Sequence, residues 1–186
     1  MKFILASASP RRKEILKNNG YEFDIVPSLF DEKINGLKYS DELVINCAYQ
    51  KALDVKDRFG DDCAIISADT VVVHNNIILG KPKDFTEAKN MLLGLSNDTH
   101  FVATAVCILY KNKVLNDIEK TFVTFKKLSN EEIINYINSK NPLDKAGSYG
   151  IQDEGFDFAQ KIDGNIDNVI GFPIILFKNM LDLIRI

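Results

Sequence analysis

A short apolar run, Phe3-Ile4-Leu5-Ala6, empties into Ser7-Ala8-Ser9-Pro10-Arg11-Arg12-Lys13 and from there into a helical pattern. A strand that turns straight into a helix commits the chain to a strand–helix unit, and it makes the junction a place to hold an anion. Ser9 suits the N-cap and Pro10 the first helical position, where its fixed φ fits and its missing N–H costs nothing. The free backbone N–H groups and the positive end of the helix dipole then face the loop. The hydroxyls of Ser7 and Ser9 and the guanidiniums of Arg11 and Arg12 stand beside them. Arginine forks match phosphate oxygens two at a time, so the junction suits a polyphosphate better than a lone carboxylate. A merely solvated basic first turn runs against the dipole, which disfavours cations there.

With 186 residues, 46% of them hydrophobic, the chain can build a sizeable core as one domain over residues 1–186, either compact or in two closely packed lobes. Its 23 basic and 26 acidic residues give a net charge of −3, which lacks the basic character of a nucleic-acid wrapper. Affinity for phosphate must therefore be local, with no nucleic-acid partner expected. The first apolar run is too short for a signal peptide, and no stretch approaches the ~20 residues that span a bilayer, so a cytosolic protein without a membrane partner is expected. Cys47, Cys63 and Cys107 are odd in number, far apart and set among apolar neighbours, which favours buried free thiols over disulfides or a zinc site. Only His74 and His100 are present, excluding a His-rich metal site; a hard cation on carboxylates stays open.

Strand and helix signals alternate without a linker, repeat or low-complexity tract. The first helix should run from about Pro10 to Asn19 with Gly20 as its stop, and Phe23-Asp24-Ile25-Val26 reads as extended up to Pro27. Ser40 caps a long helix reaching Phe59 and closed by Gly60, with Val44, Ala48, Ala52 and Val55 on one face and Lys51 on or beside it. Ala64 to Ala68 reads as a short buried strand with Asp69-Thr70 at its C-terminal end, the place where α/β sheets put ligands. Val71 to Val73 and Ile77 to Leu79 flank Asn75-Asn76 as a hairpin. A helix from Thr86 to Leu95, a strand from Phe101 to Tyr110 and an alternating strand through Phe125 follow. Ser129 and Glu132 form a capping box for the next helix, which Pro142 follows. After a polar loop from Leu143 to Gly155, a short apolar run reaches Gly171-Phe172-Pro173 and a final apolar helix. The order predicts an α/β fold around a mixed sheet.

Three further segments carry chemistry. Asp69 interrupts an apolar run, and a buried carboxylate without a partner is costly, so it should face a cleft, a cation or a hydrogen-bond network. Lys81, in Gly80-Lys81-Pro82, is held extended by the proline that follows, which can aim its ammonium. In Asp144-Lys145-Ala146-Gly147-Ser148-Tyr149-Gly150-Ile151-Gln152, the two glycines permit close backbone approach to a ligand, and Tyr149 and Gln152 could contact a base.

Together, Ser7-Ala8-Ser9-Pro10-Arg11-Arg12, Ala68-Asp69-Thr70, Gly80-Lys81-Pro82 and Asp144 through Gln152 resemble, in order and spacing, the Maf family of nucleoside triphosphate pyrophosphatases, from Lys2 to about Pro173. The resemblance implies a single two-lobed domain with a twisted mixed sheet, flanking helices and a substrate cleft, similar in fold to inosine triphosphatases. It implies hydrolysis between the α and β phosphates with Mg²⁺ or Mn²⁺, a nucleoside triphosphate as partner, and room for a homodimer. It makes Asp69 a general base or metal ligand and Glu32 a cation-binding carboxylate. Ser7, Arg11, Arg12, Lys51, Lys81 and Lys145 match phosphate-handling positions, Lys51 and Lys81 together with Asp69 forming the catalytic set.

Members resembling 7-methyl-GTP pyrophosphatases have an aromatic residue in place of Arg11, Gln in place of Thr70 and Glu in place of Gln152. This chain therefore resembles the branch acting on dTTP, UTP and modified pyrimidine triphosphates. Two departures stand out: Asn165-Ile166 replaces a common Ser-Tyr, and Asp153-Glu154 places two negative charges beside the expected substrate, where they would lower affinity or serve a cation. A nucleotide-sensing module without turnover would not require the carboxylates. A phosphatase or P-loop transferase lacks its signatures here.

Overall fold

The computed structural model describes residues 2–60 and 62–184. The first strand β1 (Lys2–Leu5) passes directly into α1 (Pro10–Asn18), with Pro10 at the start of the helix as its fixed φ allows. A two-residue strand β2 (Asp24–Ile25) follows. The long helix α2 (Asp41–Phe59) begins where Ser40 Oγ accepts the Leu43 N–H and ends at Gly60. Next come β3 (Cys63–His74), β4 (Ile77–Leu79), α3 (Phe85–Leu95), β5 (Thr99–Tyr110) and β6 (Lys113–Phe125). The chain closes with α4 (Asn130–Ser139), β7 (Ala159–Asp163), α5 (Ile166–Ile170) and α6 (Ile174–Ile184). None of the described helices is long and apolar enough to cross a membrane.

All seven strands form one mixed sheet in the order β2-β1-β3-β5-β6-β7, with β4 also on β3. β1 runs parallel to β2 and β3, and every other pairing is antiparallel. One edge of β3 pairs with β5 from Ile65 to Val73. The other edge carries β1 only as far as Ile66 and β4 only from Val72. Residues 67–71 thus have no strand partner on that side among the described residues, and this opening in the sheet positions the site.

Asp69-Thr70 consequently lies in the middle of a 12-residue strand, not at the end of a short one. The polar pair reads as a terminus locally, but continuous pairing with β5 and the β-branched Val71-Val72-Val73 beyond carry the strand through it. Two elements escape the sequence pattern. Where a short apolar run was expected, β7 is a charged edge strand bent by a bulge opposite Thr124/Phe125, and α5 is only five residues long.

Side chains alternate across β3 as the pleat requires. Ile65, Val71 and Val73 pack under Val44, Ala48, Ala52 and Val55 of α2, whereas Ile66 and Ala68 pack on the opposite face against Leu16 and Phe177. A third cluster unites Val72, Val102 and Phe125 with Leu92 of α3 and Tyr136 of α4. The three cysteines are free thiols, Cys47 and Cys107 buried.

Candidate active site

The free stretch of β3 borders an open cavity of about 910 Å³. Ser7, Arg11, Arg12, Glu32, Lys51, Asp69, Thr70, Lys81, Lys145 and Gln152 all line it, so residues singled out across the whole sequence converge on one place. Asp69 and Thr70 reach it from opposite faces of the sheet, because successive side chains of a strand diverge.

On the α2 face, Asp69 is 1% exposed and Lys51 8%. Lys51 Nζ donates to Asp69 Oδ1 at 2.5 Å and pairs also with Glu32. One turn earlier in α2, the Ala48 carbonyl accepts the Ser67 hydroxyl at 2.5 Å, which fixes helix against strand beside the pair. Burial pushes the Asp69 carboxyl up to about 6, with Lys51 pulling down and Glu32 pushing further up. Burial raises Glu32 too, but Lys51 and the hydrogen bonds of Asp69 and Lys51 overcome it and leave Glu32 below the usual carboxylate range. Asp69 Oδ2 is buried without a partner.

On the other face, Arg12 does not behave as a free phosphate ligand. Its Nε donates to Gly171 O at 2.9 Å, Nη1 to Ser7 Oγ at 3.1 Å and Nη2 to Thr70 Oγ1 at 3.0 Å. One guanidinium therefore clamps three walls of the cavity. Thr70 Oγ1 also shares a hydrogen bond with Thr104 Oγ1 at 3.0 Å, so its hydroxyl is engaged inside the protein. Ser9 is the N-cap residue of α1, but its side chain makes no capping bond; its N–H donates to Ser7 Oγ at 3.2 Å instead. Arg11 is half-buried and reaches Asp144 across the cavity at 3.8 Å.

Lys81 is exposed and has no ion-pair partner among the described residues. Gly80 anchors it: the Gly80 N–H donates to Asn35 Oδ1 at 2.9 Å and its carbonyl accepts the Gly147 N–H at 3.0 Å. Lys145 Nζ donates to Asn141 O at 2.6 Å and lies 3.4 Å from Asp144 Oδ1. Gln152 is exposed at the rim.

The two glycines of this loop are required by chain packing, and Gly150 also lines the cavity. A Cβ on Gly147 would lie 2.7 Å from Val72 Cγ2 and one on Gly150 2.7 Å from Asp153 Oδ2. Tyr149 lines the cavity as well, but its hydroxyl is not available to a base, being bound at 2.7 Å to His100 in the core. Asp153 is occupied within the protein by the Tyr136 hydroxyl and Lys145. Asn165 settles the late loop by capping α5 and exchanging hydrogen bonds with Thr121. Asn35, Gly171 and Tyr136 were not expected at or behind the site, and no local signal marks them; Asp153 was expected beside the substrate, but as a free charge or a cation ligand, not as a partner of Tyr136 and Lys145.

No group of three His, Cys, Asp or Glu poised around one point occurs among the described residues. Glu32 and Asp69 nevertheless fit a hard cation. They offer two carboxylates, one oxygen of which is orphaned, and Mg²⁺ commonly takes one or two carboxylates with waters and substrate phosphates.

The profile of the family described as "Maf-like protein" matches residues 2–184. A Bacillus cereus (strain ATCC 10987 / NRS 248) protein named dTTP/UTP pyrophosphatase is 48% identical over 173 residues, 93% of this chain and 85% of that one. A Bacillus anthracis protein of the same name is 47% identical, covering 93% and 90%. Among solved structures, a nucleoside-triphosphatase, dITP/XTP pyrophosphatase, from Mycobacterium abscessus aligns over 100% of this chain and 97% of its own at 14% identity and a TM-score of 0.49.

Proposed function

Since this chain belongs to the Maf-like protein family, we propose that it hydrolyses nucleoside triphosphates, dTTP and UTP foremost, between the α and β phosphates. The products are the nucleoside monophosphate and pyrophosphate. The observation that carries this reading is the Glu32–Lys51–Asp69 cluster at the open edge of β3, facing a cavity whose other walls supply Arg11, Lys81 and Lys145.

A triphosphate brings close to four negative charges, and phosphoryl transfer needs positioning and charge stabilisation more than covalent help. Lys81, Lys145 and Arg11 line the cavity where the phosphate chain would lie, and Lys51 sits where it can offset charge developing at the α phosphorus. Asp69 borders the cavity, its Oδ2 is a buried acceptor without a donor, and a carboxyl raised to about 6 is ionised at neutral pH yet basic enough to orient a water and take its proton. Glu32 and Asp69 would hold Mg²⁺ or Mn²⁺, which would neutralise phosphate charge and polarise the reacting phosphorus.

The test is a panel of nucleoside triphosphates with Mg²⁺ or Mn²⁺, read for both products. Monophosphate with pyrophosphate from dTTP and UTP is expected, and activity lost in EDTA should return with either metal. Release of orthophosphate, or no turnover, would overturn the reaction; full activity in EDTA would remove the cation from it.

A further inference from the structure

Behind the cavity, the turn that presents Gln152 hangs on a tyrosine outside the lining. Tyr136 of α4 is fully buried, and its hydroxyl accepts the Gly150 N–H at 2.9 Å while donating to Asp153 Oδ2 at 2.5 Å. The Asp153 N–H returns to Gly150 O at 3.1 Å and closes the turn around Gln152. The same Asp153 oxygen lies 3.5 Å from Lys145 Nζ. Burial first, and then Asp153, push the Tyr136 hydroxyl above its ordinary range, so it stays a donor. A hydroxyl whose donor and acceptor roles are both spent, on a ring buried in the core and partners that are half-buried, is a rigid link, because losing it leaves the Gly150 N–H and the Asp153 oxygen without their partner.

We propose that Tyr136 and Asp153 are positioning residues for the nucleotide. Through Gly150 they fix where Gln152 meets the base, and through Lys145 where an ammonium meets the phosphate chain. The proposal rests on the reading of the cavity as a triphosphate site. It also accounts for the carboxylate that departs from the family's pattern after Gln152: Asp153 ties both reading groups to α4 instead of repelling the substrate.

Tyr136→Phe keeps the ring contacts with Phe156 and Phe158, both at 5.0 Å, and deletes only the link. KM for dTTP should rise about tenfold with kcat within about threefold of wild type, the mark of lost binding geometry and not of lost chemistry. Amide exchange at Gly150 should accelerate by at least about tenfold. Asp153→Ala should raise KM similarly, Asp153→Asn less, since it keeps an oxygen for Tyr136, and Tyr136→Phe with Asp153→Ala should raise KM by less than the product of the two single effects, because the two residues share one hydrogen bond. A fall in Tm with KM unmoved, or single effects that multiply in the double variant, would overturn the proposal. If the wild type releases no pyrophosphate from dTTP, the functional reading is what fails. The link is then decided by exchange, and unchanged protection of Gly150 in Tyr136→Phe defeats it.

Discussion

Asp69 has one oxygen on Lys51, which it shares with Glu32, and the other buried without a donor, the pattern of a carboxylate that has a further partner to hold. Asp69→Asn keeps the shape and removes the charge and the basicity. It should leave the far-UV spectrum and cooperative melting intact while kcat for dTTP falls at least about 100-fold; retention of more than about a tenth would end the role of essential base or ligand. At the rim, the Gln152 amide can both donate and accept, matching the imide edge of uracil or thymine, whereas Glu only accepts and suits the donors of a guanine edge. dTTP and UTP should therefore exceed GTP and 7-methyl-GTP in kcat/KM by at least about tenfold, and Gln152→Glu should shrink that ratio. An unchanged ranking would show that this residue does not read the base. Asp69 and Lys51 were legible in the sequence because each is a charge inside an apolar pattern. The work of Arg12 was not: its three acceptors lie 5, 58 and 159 residues away, and no local pattern registers such distances.

At the scale of elements, what could be read was what local chemistry decides. The β1–α1 junction, α2 between Ser40 and Gly60, the Asn75-Asn76 hairpin and the Ser129–Glu132 capping box are all present. What escaped depends on partners. β3 is long because β5 holds it, and β7 is a strand because β6 offers it an edge. The loop after α4 is a case of the second kind, since its shape comes from Val72 and Gly80 beneath it. Gly147 has φ +65, and an added Cβ would meet a buried β-branched side chain at 2.7 Å. Gly147→Ala should lose about 1–3 kcal/mol. Because the Gly147 N–H also binds the carbonyl beside Lys81, kcat/KM should fall with it. Gly94→Ala, on the exposed side of α3 with nothing within 4 Å, is the control and should hold or raise Tm. Equal Tm values for the two variants would contradict the packing account of the loop.

For the whole molecule, the cavity is bounded on one side by α1 and α2 and on the other by the 141–155 loop, whose Tyr149 packs in the third core cluster and is held there by His100, itself edge-on to Phe125. His100 is 2% exposed, with Nε2 bound to Tyr149 and Nδ1 unpartnered. Burial pulls its pKa down to about 4, and His74 adds to this against the opposing Asp98. In the unfolded chain it titrates near 6.5. Between these values the unfolded state binds more protons, so this contribution is fully present above pH 6.5 and is lost as pH falls toward 4, on the order of 3 kcal/mol in all. Asp69 acts in the opposite sense: raised to about 6, it contributes stability that is present below about 4 and lost as pH rises through 6. The two partly cancel in the wild type, and only a comparison that holds Asp69 constant separates them. His100→Phe leaves the Tyr149 hydroxyl unpaired and should be less stable at neutral pH, an offset that does not titrate in this range. Between pH 7.5 and 5, the unfolding free energy of the wild type, measured by denaturant titration, should fall by about 2 kcal/mol more than that of the variant. Parallel pH profiles would mean that His100 is not held neutral in the fold.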